Sequence, residues 1–258
     1  MRTLYVFATS TRPDVYINVL AYSVDHLQAS SVCVIVISEH DYPQKEDEGR
    51  LLATTVVARL NEQLGELAEG HYIRYPGADN HREITDLDNY PNAGIYKKCL
   101  NVVNQTGTWK TIPLSDLDKS LKSFVKNSNC IFDVSALKNN LLVDVIATLL
   151  SLKFSEVYSF ELKKPQSYGQ SDLYHNLKEN EDFAYRNLTT SKPVKQSLAR
   201  ISKWSLKSKY VLMATAMLLV CLVALGIFGK NSDLLYWVNI GAILASIGSY
   251  IFLFTPNE

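Results

Sequence analysis

Two stretches near the C-terminus carry no charge: residues 210–228 (YVLMATAMLLVCLVALGIF) and residues 234–254 (LLYWVNIGAILASIGSYIFLF). At about 1.5 Å per residue, each is long enough to cross a hydrocarbon core of roughly 30 Å. Paired helices of a soluble bundle would keep a polar stripe, and neither stretch has one. Only GKNSD joins them, so the sequence predicts a tight two-span transmembrane hairpin over 210–254 with a short tail, 255–258. Arg200, Lys203, Lys207 and Lys209 crowd the entry to the first span, whereas the loop holds one Lys and one Asp. That asymmetry predicts an inner-membrane protein whose N-terminal region and C-terminus face the cytosol. In the second span Gly241, Ala245 and Ser249 recur every fourth residue with Gly248 beside them, a small-residue face that lets helices approach closely. The face serves either the hairpin itself or contact between copies. No charged side chain lies within a span, so a pore would need several chains.

A formal net charge of zero conceals a split. From Ser191 onward there are seven basic residues against two acids, so the 26 and 26 of the whole chain leave 19 basic and 24 acidic residues upstream. A mildly acidic N-terminal region lacks the broad basic face that DNA or RNA duplex binding needs. Cys33, Cys99, Cys130 and Cys221 are scattered without a C-x-x-C pair, and the five histidines show no metal-ligand spacing. Neither a metal nor another cofactor is expected. The opening MRTLYVFATS reads as a first strand and lacks the flanks of a secretory signal.

Upstream of the spans, residues 191–209 place Val194, Leu198, Ile201 and Trp204 at helical spacing among Lys and Arg, as in a basic amphipathic stalk. Residues 1–190 alternate between apolar, β-branched runs and helical patterns. The runs are 3–9, 31–38, 71–76, 129–134 and 156–162, with 183–190 as a returning edge strand. One helical pattern, from Pro13, puts Tyr16, Val19, Leu20, Val24 and Leu27 on one face. This alternation predicts an α/β fold: a Rossmann-like, mostly parallel sheet with helices on both faces. Residues 77–109 read as a long insertion with one short helix, and 163–182 as an exposed loop.

Parallel sheets of this kind bind ligands beyond the carboxyl ends of their strands. Two such ends are polar. After the first strand, Thr9, Ser10, Thr11 and Arg12 meet a helix N-terminus, where backbone N–H groups and the guanidinium favour an anion. After the fourth, FDVSALKNN offers Ser135 as a helix cap, with Lys138 and Asn139 one turn in. Taken singly, each corner reads as a helix cap. Side by side they would form a donor-rich cleft. The N-terminal region has no G-x-x-x-x-G-K-[ST], no G-x-G-x-x-G, no G-x-S-x-G and no H-E-x-x-H, and no acid–base pair can be assigned.

The ATSTRP end of the first strand, the DVSALK corner after the fourth and the closing hairpin VYSFELKK…FAYRNLTT resemble the CARF domain, the CRISPR-associated Rossmann-fold sensor of cyclic oligoadenylates. The resemblance spans roughly residues 1–190. Its D-x-[ST] corner with a following basic residue falls on Asp133, Ser135 and Lys138, while Ala136 and Leu137 stand where the family carries glycines. It implies a homodimer sharing one cyclic oligonucleotide among Thr9, Ser10, Thr11, Arg12, Ser135, Ala136, Leu137, Lys138 and Asn139. It also implies an antiviral role, with the membrane hairpin as effector. Two other classes stay open: a membrane-anchored nuclease or ring nuclease, and a non-catalytic protein-interaction module.

Overall fold

In the computed structural model residues 2–38, 43–74, 82–84, 94–126, 129–165, 167, 169–192, 194 and 196 are described. The chain divides into two compact units, Met1–Ser191 and Lys192–Glu258. Among the described residues no helix is long and apolar enough to cross a membrane. Both uncharged stretches, with Gly241, Ala245, Gly248 and Ser249, and the stalk beyond 196 lie outside the described residues.

The first unit is built on a six-stranded sheet. Its strands are β1 (Thr3–Phe7), β2 (Ser31–Ser38), β5 (Thr108–Pro113), β6 (Cys130–Asp133), β7 (Val157–Leu162) and β8 (Phe183–Asn187), in the order β5-β2-β1-β6-β7-β8. All neighbours pair in parallel except β7 with β8. The order is that of a doubly wound, Rossmann-like α/β fold carrying one antiparallel edge strand.

Alternation along β1 explains the layering. Leu4, Val6 and Ala8 enter one core with α1 (Asp14–Asp25), α2 (Pro43–Ala68) and α3 (Ile95–Thr106). Tyr5 and Phe7 enter the other with α4 (Leu117–Lys122) and α5 (Asn139–Ser151). A period of two sends successive side chains to opposite faces, so both faces must be covered. α2 answers with Ala53, Val56, Leu60, Leu64 and Leu67, spaced by three or four residues and all buried. On the second face Tyr5 and Phe132 stack with centroids 5.1 Å apart.

Three expectations are corrected. The run at 71–76 does not join the main sheet: β3 (His71–Ile73) pairs antiparallel with β4 (Arg82–Ile84) as a separate two-stranded ribbon. The third parallel strand is β5, TWKTIP, which lies at the sheet edge, where a lysine and a proline are tolerated because one side makes no ladder. Segment 163–182 is no exposed loop. It folds into short 3-10 turns; Leu173, Tyr174 and Leu177 are buried in the core with α1, and His175 is buried against Tyr96 of α3. Asn18 on α1 holds it there, donating to the Asp172 carbonyl at 2.7 Å and accepting from the Tyr174 N–H at 2.8 Å. Cys33, Cys99 and Cys130 are buried, and none of the three forms a disulfide.

Candidate ligand-binding cleft

β1 and β6 are hydrogen-bonded neighbours, with Val6 opposite Asp133. From β1 the chain passes through α1 to β2 on one side, and from β6 through α5 to β7 on the other. Diverging connections leave a gap beyond the carboxyl ends, the switch point of a doubly wound sheet. There the structure has a cleft of about 310 Å³, lined by Thr9, Ser10, Arg12, Asp14, Val15, Tyr16 and Ala136.

Its first wall is a folded-back turn. The Tyr16 hydroxyl, in the first turn of α1, donates to the Ser10 carbonyl at 2.8 Å and accepts from the Ser10 N–H at 3.1 Å. Ser10 Oγ accepts from the Arg12 N–H at 3.2 Å, and Arg12 stands exposed at the rim. Thr9 Oγ1 donates to the Ala136 carbonyl at 2.5 Å, joining the two polar corners directly. Thr11 turns away toward α2, where Arg59 Nη1 donates to its hydroxyl at 2.8 Å.

Asp14 forms the floor. It is 8 % exposed, and its Oδ2 accepts from the Tyr72 hydroxyl of β3 at 3.2 Å. Burial pushes its carboxyl up to about 6, against the opposing pull of the Tyr72 hydrogen bond and of Arg12, and Asp172 adds a small upward push.

The second corner is organised differently from a helix cap. Asp133 is buried at the end of β6. Its Oδ1 accepts from the Ser135 N–H at 3.1 Å and its Oδ2 from the Ser135 hydroxyl at 2.9 Å. Ser135 Oγ in turn accepts from the Phe160 N–H of β7 at 2.6 Å. The Ser135 side chain is thus committed inside a turn, and α5 starts four residues later, with extended Lys138 at the cap position and no side-chain cap. Burial pushes Asp133 up to about 6 despite its hydrogen bonds from Ser135 and Tyr185.

Of the nine residues singled out in the sequence, Thr9, Ser10, Arg12 and Ala136 line the cleft. Thr11 and Ser135 brace its walls from behind, and Leu137 is buried in the core on the opposite face. Lys138 and Asn139 are exposed beside the second corner and do not line the cleft. Asp14, Tyr16 and Tyr72 also shape the site and carry no site signature in the sequence. Asp14 was legible only as the acid that follows Pro13 in a first helical turn, and Tyr16 only as part of an apolar face. Among the described residues no group of three or more His, Cys, Asp or Glu comes together to hold a metal ion.

The fold and the cleft together define a Rossmann-like α/β protein with a polar pocket at its switch point. Comparison with family models, with curated proteins and with solved structures yields no match.

Proposed function

We propose that the protein is a membrane-anchored sensor that binds a cyclic oligoadenylate-type second messenger in its N-terminal unit and, through its uncharged spans, perturbs or permeabilises the bilayer in antiviral defence. The observation that carries this reading is the polar cleft between β1 and β6, in a chain that also holds two uncharged 19- and 21-residue stretches. Arg12 at the rim and the N-terminus of α1 supply positive potential for a phosphate. Thr9 and Ser10 supply short polar contacts, and Ala136 closes the cleft from the second corner. A homodimer with two facing clefts would share one ring. The ligand acts only if it prefers one arrangement of the N-terminal units over another, since equal affinity for both would shift nothing.

The test uses the full chain in vesicles of anionic lipid loaded with a self-quenching dye. Cyclic tri-, tetra- and hexa-adenylate are added in turn. One of them is expected to bind and release dye, and Arg12→Ala is expected to abolish release without lowering the melting temperature. If no ring binds and none releases dye, the proposal is refuted.

A further inference from the structure

Within the cleft, Asp14 is the residue that an anion site does not call for. It is more than nine-tenths buried, yet it lines the cavity. Its Oδ2 is taken by Tyr72, whereas Oδ1 receives no hydrogen bond among the described residues. The adjacent Tyr16 hydroxyl cannot serve it, because that group is held by both the N–H and the carbonyl of Ser10. Oδ1 is not among the buried oxygens that lack a partner, so it opens to the cleft, where a donor on a ligand reaches it without displacing a protein partner. A phosphate at the same spot would face a like charge.

We propose that Asp14 Oδ1 accepts a hydrogen bond from an N–H or O–H group of the bound ligand, so that the cleft reads a nucleoside's donor edge at its floor and leaves the phosphate to the rim. This rests on the reading of the cleft as a nucleotide site and assigns its selectivity. Two groups of an adenylate share the required chemistry, the 6-amino group of the base and the ribose 2′-hydroxyl. A cavity of about 310 Å³ per chain holds one nucleoside and not a whole ring.

The interaction needs the ionised acid, which links binding to pH. The groups facing Asp14 are Tyr72 from β3, Arg12 from the turn before α1 and Asp172 from the segment packed on α1. Arg59 of α2 lies behind the same turn, bonded to Thr11. With a carboxyl that titrates near 6 in the free protein, binding should be about tenfold weaker at pH 5 than at pH 7.

The experiment is calorimetry on the full chain in lipid nanodiscs, at pH 5 and pH 7. The probes are cyclic tri-, tetra- and hexa-adenylate, their inosine counterparts (which lack the 6-amino group) and their 2′-deoxy counterparts. The expected result is the pH dependence above in the native chain, its loss in Asp14→Asn, and at least a tenfold loss of affinity with one of the two analogue series, which identifies the donor. Adenylate binding that is unchanged by pH and by both analogues would overturn this inference while the sensor reading stands. Absence of binding by every adenylate would overturn both. The pH comparison in the native chain holds whether or not Asp14→Asn folds.

Discussion

At the scale of single residues, the polar groups around the sheet's carboxyl ends contribute to the stability of the fold through their buried hydrogen bonds. Ser135→Ala removes the donor to buried Asp133 and the acceptor of the Phe160 N–H together. Loss of one donor to a buried carboxylate and of the acceptor of a half-buried N–H costs about 2–3 kcal/mol, or roughly 5–10 °C in melting temperature. Differential scanning calorimetry checks this, and an unchanged melting temperature would show that the turn is not stabilised through Ser135. The titrations pull in opposite directions. Asp14 and Asp133, near 6 when folded against 3.8 as free groups, favour the folded state fully below about pH 4, and that contribution is lost as pH rises through 6. His175 is lowered from 6.5 to about 4 by burial, so its contribution is complete above 6.5 and is lost as pH falls toward 4. Asp133→Asn should therefore gain stability relative to the native chain between pH 4 and pH 7. Urea titrations at those two pH values would show it, and a gain at pH 4 equal to that at pH 7 would contradict it.

At the scale of elements, two joints are exposed to a direct test. Asn18→Ala removes a donor to the Asp172 carbonyl and the acceptor of the Tyr174 N–H beneath a buried segment. A loss of about 2–4 kcal/mol is expected, together with faster amide exchange at Tyr174 and Leu177. Unchanged exchange there would mean that the segment is held by its apolar contacts alone. Gly107 ends α3 and leads straight into β5, and a Cβ on it would lie 2.3 Å from the Val103 carbonyl oxygen. Gly107→Ala must shift backbone, so a loss of about 1–3 kcal/mol is expected from chemical denaturation. The same elements show what the sequence could reveal. Strands buried on both faces announced themselves as apolar runs, and β1, β2, β6 and β7 were all visible. β5 was not, because an edge strand alternating Thr, Lys and Thr looks like a loop until its neighbour is known. Likewise 163–182 reads as polar because its buried members, Leu173, Tyr174, His175 and Leu177, are interleaved with solvated ones. For the cleft, the corner residues could be found from strand ends and helix starts. The role of Ser135 could not, since it depends on Phe160, 25 positions away. Asp14 was hidden for the same reason, its partner Tyr72 lying 58 positions on.

At the scale of the whole molecule, the charge split leads to a prediction about topology. A cysteine placed at Ser232, in the GKNSD loop, should react with a membrane-impermeant maleimide added outside intact cells, and protection of that cysteine would count against the proposed orientation. One feature of the first unit bears on any signalling role. The cleft lies beyond the carboxyl ends of the parallel strands, whereas β8 runs back the other way. Asn187 and Thr189 at its end both donate to the Ser155 carbonyl, just before β7 begins. The chain therefore departs at Ser191 near the sheet's opposite rim, about a strand's length, or roughly 20 Å, from the cleft. The packed sheet between them does not deform continuously. If the cleft takes the proposed ligand, occupancy would speak to the outgoing chain as a head count rather than as a push: it would alter how many copies stand together and leave each copy's own frame as it was. Hydrogen exchange in β8 that stays constant while ligand raises the oligomer number would be the signature of that arrangement.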